Sequence, residues 1–256
     1  MSYSIIIPAR YESTRLPGKA LRLLAGKPLL QHVYEQALKS RAERVIIATD
    51  DARIESFAKE LNADVCMTGK HHRSGTERSA EVIEKTGLDD DEIIVNLQGD
   101  EPMMPPACLD QVAGLISSKD EIAPMATLCE QLHSAADIFD PNTVKVIIDQ
   151  HGYAMYFSRA PIPWHRDSFN DVTSEMPDGQ AYFRHIGLYA YRAGFIRHYL
   201  EAEVCPLERT ESLEQLRVLY MGHKIRIAPA VDTTGPGVDT EADLQRVEAL
   251  LSTFGN

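Results

Sequence analysis

Short apolar runs alternate with helix-like stretches along the first half of the chain, and this alternation limits the possible folds more than any other feature. The apolar runs are rich in β-branched residues, which favours buried strands. Strands that alternate with helices are typical of α/β folds, in which helices cover both faces of a mostly parallel sheet. The predicted strands are Ser4–Ala9, Arg44–Thr49, Ile93–Gln98, Ala123–Leu128 and Val144–Ile148. The predicted helices are Leu29–Lys39, Ala52–Leu61, Gly75–Lys85 and Pro106–Ser117.

The pattern changes after about residue 145. Three segments, VKVIID, GYAMYFSR and FRHIGLYAYR, have the composition of further strands, and a polar stretch separates the last two. We interpret them as an inserted antiparallel ribbon that serves as a substrate lid or a dimer surface. Helical patterns return at Arg192–Ala202, Glu211–Tyr220 and Thr240–Leu251. Because no internal repeat and no flexible linker divides the 256 residues, we expect a single domain.

The composition narrows the expected partners and location. The chain has 26 Lys+Arg against 38 Asp+Glu, a formal net charge of -12, so neither nucleic acid nor an anionic membrane is an expected partner. No apolar run approaches the ~20 residues that span a bilayer, and the start MSYSIIIPAR lacks the basic region of a signal peptide. The four cysteines form no CxxC pair, which indicates buried, reduced thiols in a cytoplasmic protein.

The segment PARYESTRLPGK follows the first predicted strand and places Arg10, Arg15 and Lys19 close together in an acidic chain. The next predicted helix begins near Leu29, and unstructured loops longer than ~12–15 residues are uncommon unless they are functional or disordered. Guanidinium groups bind phosphate oxygens in pairs, and Gly18 permits close approach of the backbone. A triphosphate-binding loop and a solvated surface loop are both compatible with this segment. The absence of GxxxxGK[ST] disfavours a P-loop NTPase.

A second candidate anion site is HHRSGTERSAEVIEK. Ser74 and Glu77 have the spacing of a capping box, which predicts a helix that begins here. Helix N-termini bind anions, and Arg73 and Arg78 flank this one. A plain helix cap with surface arginines is the alternative interpretation.

Two carboxylates are candidates for a metal site. In IIVNLQGDEPMMPP, Gly99 lets the chain turn and places Asp100 at the carboxyl end of a predicted strand. A hard oxygen ligand at that edge can hold Mg²⁺ against phosphates. Asp239 follows a Gly-Pro-Gly turn and could complete the site. The alternative interpretation of Asp100 is a turn residue that bonds only to nearby backbone. For Asp239, a position beside a helix cap is the simpler interpretation.

Two later segments are candidates for contact with a second substrate. In YFRHIGLYAYR, polar residues alternate with apolar ones, so that His185 and Tyr189 share one strand face. In TESLEQLRVLYMG, Glu214 and Gln215 lie beside an apolar helical stripe and could reach a polyol. In isolation, a polar rim on a core element is the simpler interpretation of each segment.

Taken together with NTVKVIIDQHGYAMYFSRAPIPWHRD and GVDTEADL, these blocks resemble the CMP-KDO synthetase family, the 3-deoxy-D-manno-octulosonate (KDO) cytidylyltransferases. The resemblance runs in order from residue 4 to about 248. It implies a Rossmann-like nucleotide-diphosphosugar transferase fold, a cytoplasmic homodimer and an Mg²⁺-dependent reaction. In that reaction CTP and KDO give CMP-KDO and pyrophosphate for lipopolysaccharide biosynthesis. It also implies a nucleotide-binding part at about 1–130 and 225–256, and a sugar-binding and dimerisation part at about 131–224.

The resemblance also implies roles for individual residues. The nucleotide-binding residues are Pro8, Ala9, Arg10, Arg15, Lys19, Arg73, Ser74, Arg78 and Gln98. The catalytic residues are Lys19, Asp100 and Asp239, and the two aspartates hold Mg²⁺. The sugar-binding residues are Gln98, Arg159, His185, Tyr189, Glu214 and Gln215. Two alternatives stay open: another sugar acid, such as 8-amino-KDO or sialic acid, and a CTP sensor without catalysis.

Overall fold

The computed structural model describes residues 2–72, 74–116, 122–169, 175–177, 179 and 181–254. The strands are β1 (Tyr3–Ala9), β2 (Leu23–Leu24), β3 (Lys27–Pro28), β4 (Arg44–Thr49), β5 (Asp64–Met67), β6 (Ile93–Asn96), β7 (Met125–Gln131), β8 (Lys145–Ile148), β9 (Ala154–Ser158), β10 (Phe183–Arg192) and β11 (Ile225–Pro229). The helices are α1 (Leu29–Leu38), α2 (Ala52–Glu60), α3 (Gly75–Thr86), α4 (Pro106–Gly114), α5 (Ala135–Phe139), α6 (Ala193–Glu201), α7 (Pro206–Glu211), α8 (Gln215–Tyr220) and α9 (Glu241–Phe254).

The central sheet has the strand order β11-β7-β10-β6-β1-β4-β5, and the β8–β9 hairpin joins it through β10. β1 pairs in parallel with β4 and β6, and β4 pairs in parallel with β5. β10 lies antiparallel between β6 and β7, and β11 is parallel to β7. The prediction of an α/β fold with a mostly parallel mixed sheet and an antiparallel insertion is therefore confirmed.

β1 shows why its continuous apolar run forms a central strand. Successive strand residues point to opposite faces of a sheet. Ile5 and Ile7 pack into a core with α1 and α4, whereas Ile6 packs into a second core with α3 and α6. All three side chains are fully buried. A strand that is covered by helices on both faces needs apolar residues at every position, and this run supplies them.

The insertion differs from the predicted three-stranded ribbon. β8 and β9 do form an antiparallel hairpin. β10 pairs with β8 only at Phe183 and Arg184 and then continues into the central sheet. The reason is that its second half is apolar: Leu188 and Ala190 are buried in the core beside α4 and β7.

The predicted helix Glu211–Tyr220 was also wrong, because the segment forms α7 and α8. Ser212 has a left-handed backbone with φ 53°, which ends α7. The Glu211 carboxylate accepts hydrogen bonds from the Ser158 hydroxyl and the Arg159 amide, so tertiary contacts hold the chain at the break. β5 and β11 were not predicted. Both are edge strands of the central sheet, and edge strands carry weaker apolar patterns.

The long connection between β1 and α1 has its own structure. The Gly18 amide donates to the Tyr11 carbonyl at 3.1 Å, which closes the loop. A 3₁₀ turn at Lys19–Leu21 and the β2–β3 hairpin then lead to α1. Gly18 has φ 69° at the start of the turn, a left-handed conformation that glycine adopts without strain. The loop therefore holds Lys19 in a defined place near the carboxyl end of β1.

The prediction that the cysteines are buried and unpaired is confirmed. Cys66, Cys108, Cys129 and Cys205 are buried free thiols. Burial raises the pKa of the Cys129 thiol to about 12, so that this group stays protonated and unreactive. Among the residues that the structure describes, no helix is both long enough and apolar enough to cross a membrane.

Candidate active site

A cleft with a volume of about 310 Å³ opens at the carboxyl ends of β1 and β6. Parallel α/β sheets bind their ligands at this edge. The loop after β1, the start of α3, the turn after β6 and the segment before α9 form its walls. The predicted site residues that line it are Pro8, Ala9, Arg10, Arg15, Lys19, Ser74, Arg78, Gln98, Asp100 and Asp239. Arg73 lies outside the described residues.

Lys19 lies at the floor of this cleft between the two predicted metal ligands. Its Nζ donates to Asp100 Oδ2 at 2.6 Å and to Asp239 Oδ1 at 2.9 Å. The Lys19 side chain is only 16% exposed. Burial alone would lower the pKa of Lys19, but the Asp100 and Asp239 carboxylates outweigh it and raise the pKa above its usual value. The ammonium group is therefore charged and shared by two carboxylates from distant parts of the chain.

Two close backbone approaches bring these carboxylates together. A Cβ at Gly99 would lie 2.8 Å from the Pro8 carbonyl oxygen, so only glycine fits where the turn after β6 passes β1. The Val238 amide donates to the Asp100 carbonyl at 2.9 Å. This bond holds the segment before α9 against the turn, which places Asp239 beside Asp100.

The other cations of the first loop lie at the rim. Arg15 Nη2 donates to Asp239 Oδ2 at 2.9 Å, but the Arg15 side chain is 66% exposed, so this ion pair stabilises the fold little. Arg10 is exposed and forms no ion pair with any residue that the structure describes. Two arginines at the rim and one lysine at the floor thus make a local positive region in an acidic protein.

The start of α3 forms the opposite wall. The Ser74 hydroxyl accepts from the Glu77 amide at 3.2 Å, which confirms the predicted helix cap. Arg78 is buried, and its guanidinium donates to Asp50 at 2.9 Å and to the Thr68 hydroxyl. Its charge therefore ties α3 to the end of β4, and its role as a nucleotide ligand stays a prediction.

Gln98 lies where the two walls meet. Its Nε2 donates to Asn96 Oδ1 at 3.2 Å. A Cβ at Gly75 would lie 3.0 Å from Gln98 Nε2 and 3.0 Å from Pro8 Cγ, so the first residue of α3 must be small for the wall to close. Gln98 is thus positioned by β6, β1 and α3 together.

Of the predicted sugar-binding residues, Gln98 lines the cleft, whereas three others lie beyond the start of α3. Glu214, Gln215 and Tyr189 line a small cavity together with Thr76. Burial raises the pKa of Glu214, and hydrogen bonds from the Thr76 and Ser74 hydroxyls oppose that shift. Because Ser74 also lines the cleft, it is the link between the two places.

His185 lies beside Tyr189, with ring centroids 5.3 Å apart. Burial, assisted by the neighbouring Arg184 charge, lowers the pKa of His185 to about 3, so the imidazole is neutral at neutral pH. Burial also raises the pKa of Tyr189 well above its usual value, so the phenol keeps its proton. This pair offers uncharged hydrogen-bonding groups, which suit a polyol.

Arg159 lies apart from this cluster and is held by backbone carbonyls. Its Nε donates to the Glu211 carbonyl at 2.7 Å, and its Nη1 donates to the Pro141 carbonyl at 2.9 Å. The structure does not bring Arg159 into the small cavity with Glu214 and Tyr189, so the predicted sugar-binding residues do not form one cluster.

Glu101 is a residue of the cleft region that the sequence did not reveal. Burial, reinforced by the Asp100 carboxylate next to it, raises the pKa of Glu101 to about 8. A protonated Glu101 limits the negative charge beneath the cleft to the two aspartates. The adjacent acidic pair in QGDEP was the available signal, but its burial depends on residues far along the chain, such as Gly237.

The fold and the cleft define an α/β protein with a charged ligand site at the carboxyl ends of its strands, and comparisons with known proteins identify its family. Residues 4–225 match the family model described as cytidylyltransferase. The 3-deoxy-manno-octulosonate cytidylyltransferase of Aliivibrio fischeri (strain MJ11) is 56% identical over 98% of this chain and 100% of its own length. The protein of the same name from Marinobacter nauticus is 52% identical over 100% of this chain and 99% of its own.

Solved structures agree with these relatives. A CMP:2-keto-3-deoxy-manno-octonic acid synthetase complexed with CTP superposes with a TM-score of 0.88 and 42% identity, over 99% of both chains. A cytidylyltransferase from Leptospira borgpetersenii, at 16% identity and a TM-score of 0.62, shares the fold. The chain belongs to the cytidylyltransferase family, within the group of the 3-deoxy-manno-octulosonate cytidylyltransferases.

Proposed function

We propose that this protein is an enzyme that transfers the cytidylyl group of CTP to KDO and releases pyrophosphate. Relatives that match the whole chain at 50% identity or more carry the name of this activity. Within the molecule, one observation carries the proposal: Asp100 and Asp239 converge on one cation in a cleft rimmed by arginines. A sensor that only bound CTP would not need two converging carboxylates.

The chemistry explains the positive charge in the cleft. An oxygen–phosphorus bond forms between the anomeric hydroxyl of KDO and the α-phosphorus of CTP, and the hydroxyl proton is released. The bond from the α-phosphorus to the bridging oxygen breaks, and pyrophosphate leaves with the electron pair. Arg10, Arg15 and Lys19 stabilise the charge that develops on the leaving group. Positioning is most of what the protein contributes.

The donor set of the cleft fits Mg²⁺. Asp100 Oδ2 and Asp239 Oδ1 are hard oxygens that already face one cation, Lys19 Nζ. Mg²⁺ is usually held by one or two carboxylates together with substrate phosphates. We assign Asp100 and Asp239 as the residues that hold it. When bound, the ion neutralises phosphate charge and makes the attacking hydroxyl easier to deprotonate.

The remaining assignments concern the contacts with the nucleotide and with the sugar acid. The nucleotide contacts Pro8, Ala9, Arg73, Ser74, Arg78 and Gln98, in addition to the three cations. KDO contacts Gln98, Arg159, His185, Tyr189, Glu214 and Gln215. The link through Ser74 supports this arrangement, because it joins the cleft to the cavity that Glu214 lines.

The proposal includes the organisation and setting of the enzyme. The nucleotide part is about 1–130 and 225–256, and the sugar and dimer part is about 131–224. The protein is a cytoplasmic homodimer that activates KDO for lipopolysaccharide biosynthesis. The side chains of Met155 in β9 and Trp164 after it are 61% and 57% exposed, which supports an apolar dimer face on this part.

The test is pyrophosphate release from CTP and Mg²⁺, measured with and without KDO and repeated with 8-amino-KDO, sialic acid and a chelator. We expect release only with KDO and Mg²⁺. Release with another sugar acid alone would keep the chemistry and replace the substrate. CTP binding without release under any condition would favour the sensor.

The same assay tests the metal ligands. Asp239→Asn should lower the rate at least 100-fold, as loss of a transition-state charge contact typically does. Asp232→Asn, in the same segment but outside the cleft lining, is the matched control and should retain activity. Near-normal rates for both variants would remove Asp239 from the site.

A further inference from the structure

The Thr127 hydroxyl, in the middle of β7, has three possible hydrogen-bond partners. Its Oγ1 lies 2.8 Å from the Leu188 carbonyl oxygen, 3.0 Å from the Ile186 carbonyl oxygen and 3.0 Å from His185 Nε2. Thr127 is fully buried, so water does not compete for these contacts. A hydroxyl carries one proton, and two of the three partners can only accept.

This count of protons determines which ring nitrogen of His185 carries hydrogen. If His185 Nε2 accepted, the Thr127 proton would point to it, and the Ile186 and Leu188 carbonyls would face a hydroxyl oxygen without a donor. If His185 Nε2–H donates to Thr127 Oγ1, the single Thr127 proton remains available for the Ile186 and Leu188 carbonyl oxygens, which lie 3.0 and 2.8 Å away. Buried polar groups are hydrogen-bonded in nearly all proteins, so the second arrangement is favoured.

An irregularity in β10 creates the arrangement. The register of β10 against β7 shifts between Ile186 and Tyr189, so that Gly187 and Leu188 are extra residues. The two carbonyls that Thr127 meets flank this bulge. The bulge also brings the rings of His185 and Tyr189 to 5.3 Å although four positions separate them. In a regular strand, residues four apart would be roughly 13 Å apart.

We propose that Thr127 is a positioning residue that holds His185 as the Nε2–H tautomer and leaves Nδ1 as an acceptor for a hydroxyl of the sugar acid. The second half of this inference rests on the proposed function. His185 is partly exposed, and its Nδ1 has no hydrogen-bond partner within the described part of the chain. Phe157 packs edge-on against the ring at 4.9 Å, which holds the ring plane in place.

The first experiment reads the tautomer directly and needs no substrate. The full chain labelled with ¹⁵N-histidine is studied by long-range ¹H–¹⁵N NMR at neutral pH, and His185→Gln identifies the His185 signals among the nine histidines. We expect a neutral ring with its proton on Nε2. A proton on Nδ1, or a charged ring, would overturn the proposal without any further variant.

The second experiment separates positioning from folding. Thr127→Ser keeps the hydroxyl and should keep the Nε2–H tautomer and the KM for KDO. Thr127→Val removes the hydroxyl and should give a mixed or inverted tautomer with a KM for KDO raised roughly tenfold, while the KM for CTP stays the same. An unchanged tautomer and unchanged KM in Thr127→Val would refute the positioning role. If Thr127→Val does not fold, the native tautomer and Thr127→Ser decide the question.

The two experiments also distinguish this inference from the proposed function. A protein that has the Nε2–H tautomer but no turnover with KDO would overturn the proposed substrate and keep the role of Thr127. Turnover with KDO together with a proton on Nδ1 of His185 would keep the proposed substrate and overturn the role of Thr127.

Discussion

Lys19 is the only cation that the structure places directly between Asp100 and Asp239 within the described residues. Opposite charges at 4 Å interact by about 4 kcal/mol near a protein surface, and two unneutralised carboxylates would repel each other to a similar degree. Lys19 therefore holds the cleft together as well as supplying charge to the reaction. Its pairing partners are 81 and 220 residues away in the chain.

Replacing Lys19 tests this double role. In Lys19→Met the side chain keeps its unbranched apolar stem and loses its charge, so we expect a fall in kcat/KM of about 100- to 1000-fold, as for loss of one charge-stabilising donor. Steady-state kinetics with CTP and KDO give the measurement. Lys27→Met, which loses an exposed pair with Glu35, is the control and should change the rate little. Equal rates for both variants would show that Lys19 does not stabilise the leaving group.

Gly99 tests the geometry that places Asp100. A Cβ there would lie 2.8 Å from the Pro8 carbonyl oxygen, so Gly99→Ala must move β1 or the turn. We expect a loss of about 1–3 kcal/mol in the free energy of unfolding, together with lower activity. Denaturant unfolding measures the first effect.

Gly114 is the matched control for Gly99. It is the last residue of α4, and an added Cβ there meets nothing within 4 Å. Gly114→Ala should stabilise the protein by about 0.5–1 kcal/mol, because alanine loses less backbone entropy in a helix. A Gly99→Ala variant as stable as Gly114→Ala would contradict the close approach of the two segments.

The short helix α8 depends on its packing, because a helix of six residues is not stable alone. Arg217 in α8 and Glu208 in α7 form a buried two-bond pair at 2.6 Å for each bond. The Arg217 guanidinium also lies over the Tyr199 ring of α6 at 4.3 Å. These contacts hold the start of α8, where Glu214 and Gln215 face the small cavity.

Breaking this pair should destabilise the fold and disturb KDO binding together. Arg217→Met leaves the Glu208 carboxylate buried without its partner, which typically costs about 3–5 kcal/mol. The double variant Arg217→Met/Glu208→Leu should recover a large part of that loss, since no buried charge remains. Urea unfolding of the two variants gives the comparison, with Arg246→Met, from an exposed pair with Asp243, as a control expected to lose under about 1 kcal/mol. The single variant Glu208→Leu is measured as well, and a double variant whose loss equals the sum of the two single losses would argue against a coupled pair.

At the scale of the whole molecule, stability at low pH depends on the carboxylates that accept hydrogen bonds or form ion pairs in the folded state, because these groups lose that stabilisation when they are protonated. Glu81 in α3 is one of these. Partial burial acts to raise the pKa of Glu81, but hydrogen bonds from Lys85, His72 and the Gly69 amide outweigh it and lower the pKa to about 2. The ordinary value is 4.5. Because the folded pKa is lower than the unfolded one, the ionised group stabilises the fold above pH 4.5, and this contribution is lost as the pH falls towards 2.

Glu81→Gln tests this dependence. At neutral pH the variant should be less stable by on the order of 1 kcal/mol, after allowance for solvent screening. The difference from the native protein should shrink as the pH falls through the range from 4.5 to about 2. Urea midpoints at a series of pH values measure it, with the exposed Glu84→Gln as control. A stability difference that stayed constant with pH would show that the ionisation of Glu81 does not stabilise the fold.

Features that depend on neighbouring residues could be predicted from the amino-acid order alone. The strand Arg44–Thr49 was predicted with its observed bounds. The Ser74 and Glu77 cap was also predicted, and the Ser74 hydroxyl accepts from the Glu77 amide. In each case the hydrogen bonds or apolar contacts join residues a few positions apart, so spacing is sufficient. The three cations of the first loop were found for the same reason.

The arrangement of the site was decided by contacts that cross most of the chain. Asp100 and Asp239 both accept hydrogen bonds from Lys19. Arg78 donates to Asp50. The predicted helix is broken at Ser212 because the Glu211 carboxylate is bonded to Ser158 of β9. The neutral Glu101, the central position of β10 and the contact of Thr127 with His185 are of the same kind. The spacing of neighbouring residues does not indicate which distant segments meet at one edge of the sheet. The burial and the charged neighbours that set side-chain pKa values and orientations arise only when those segments pack together.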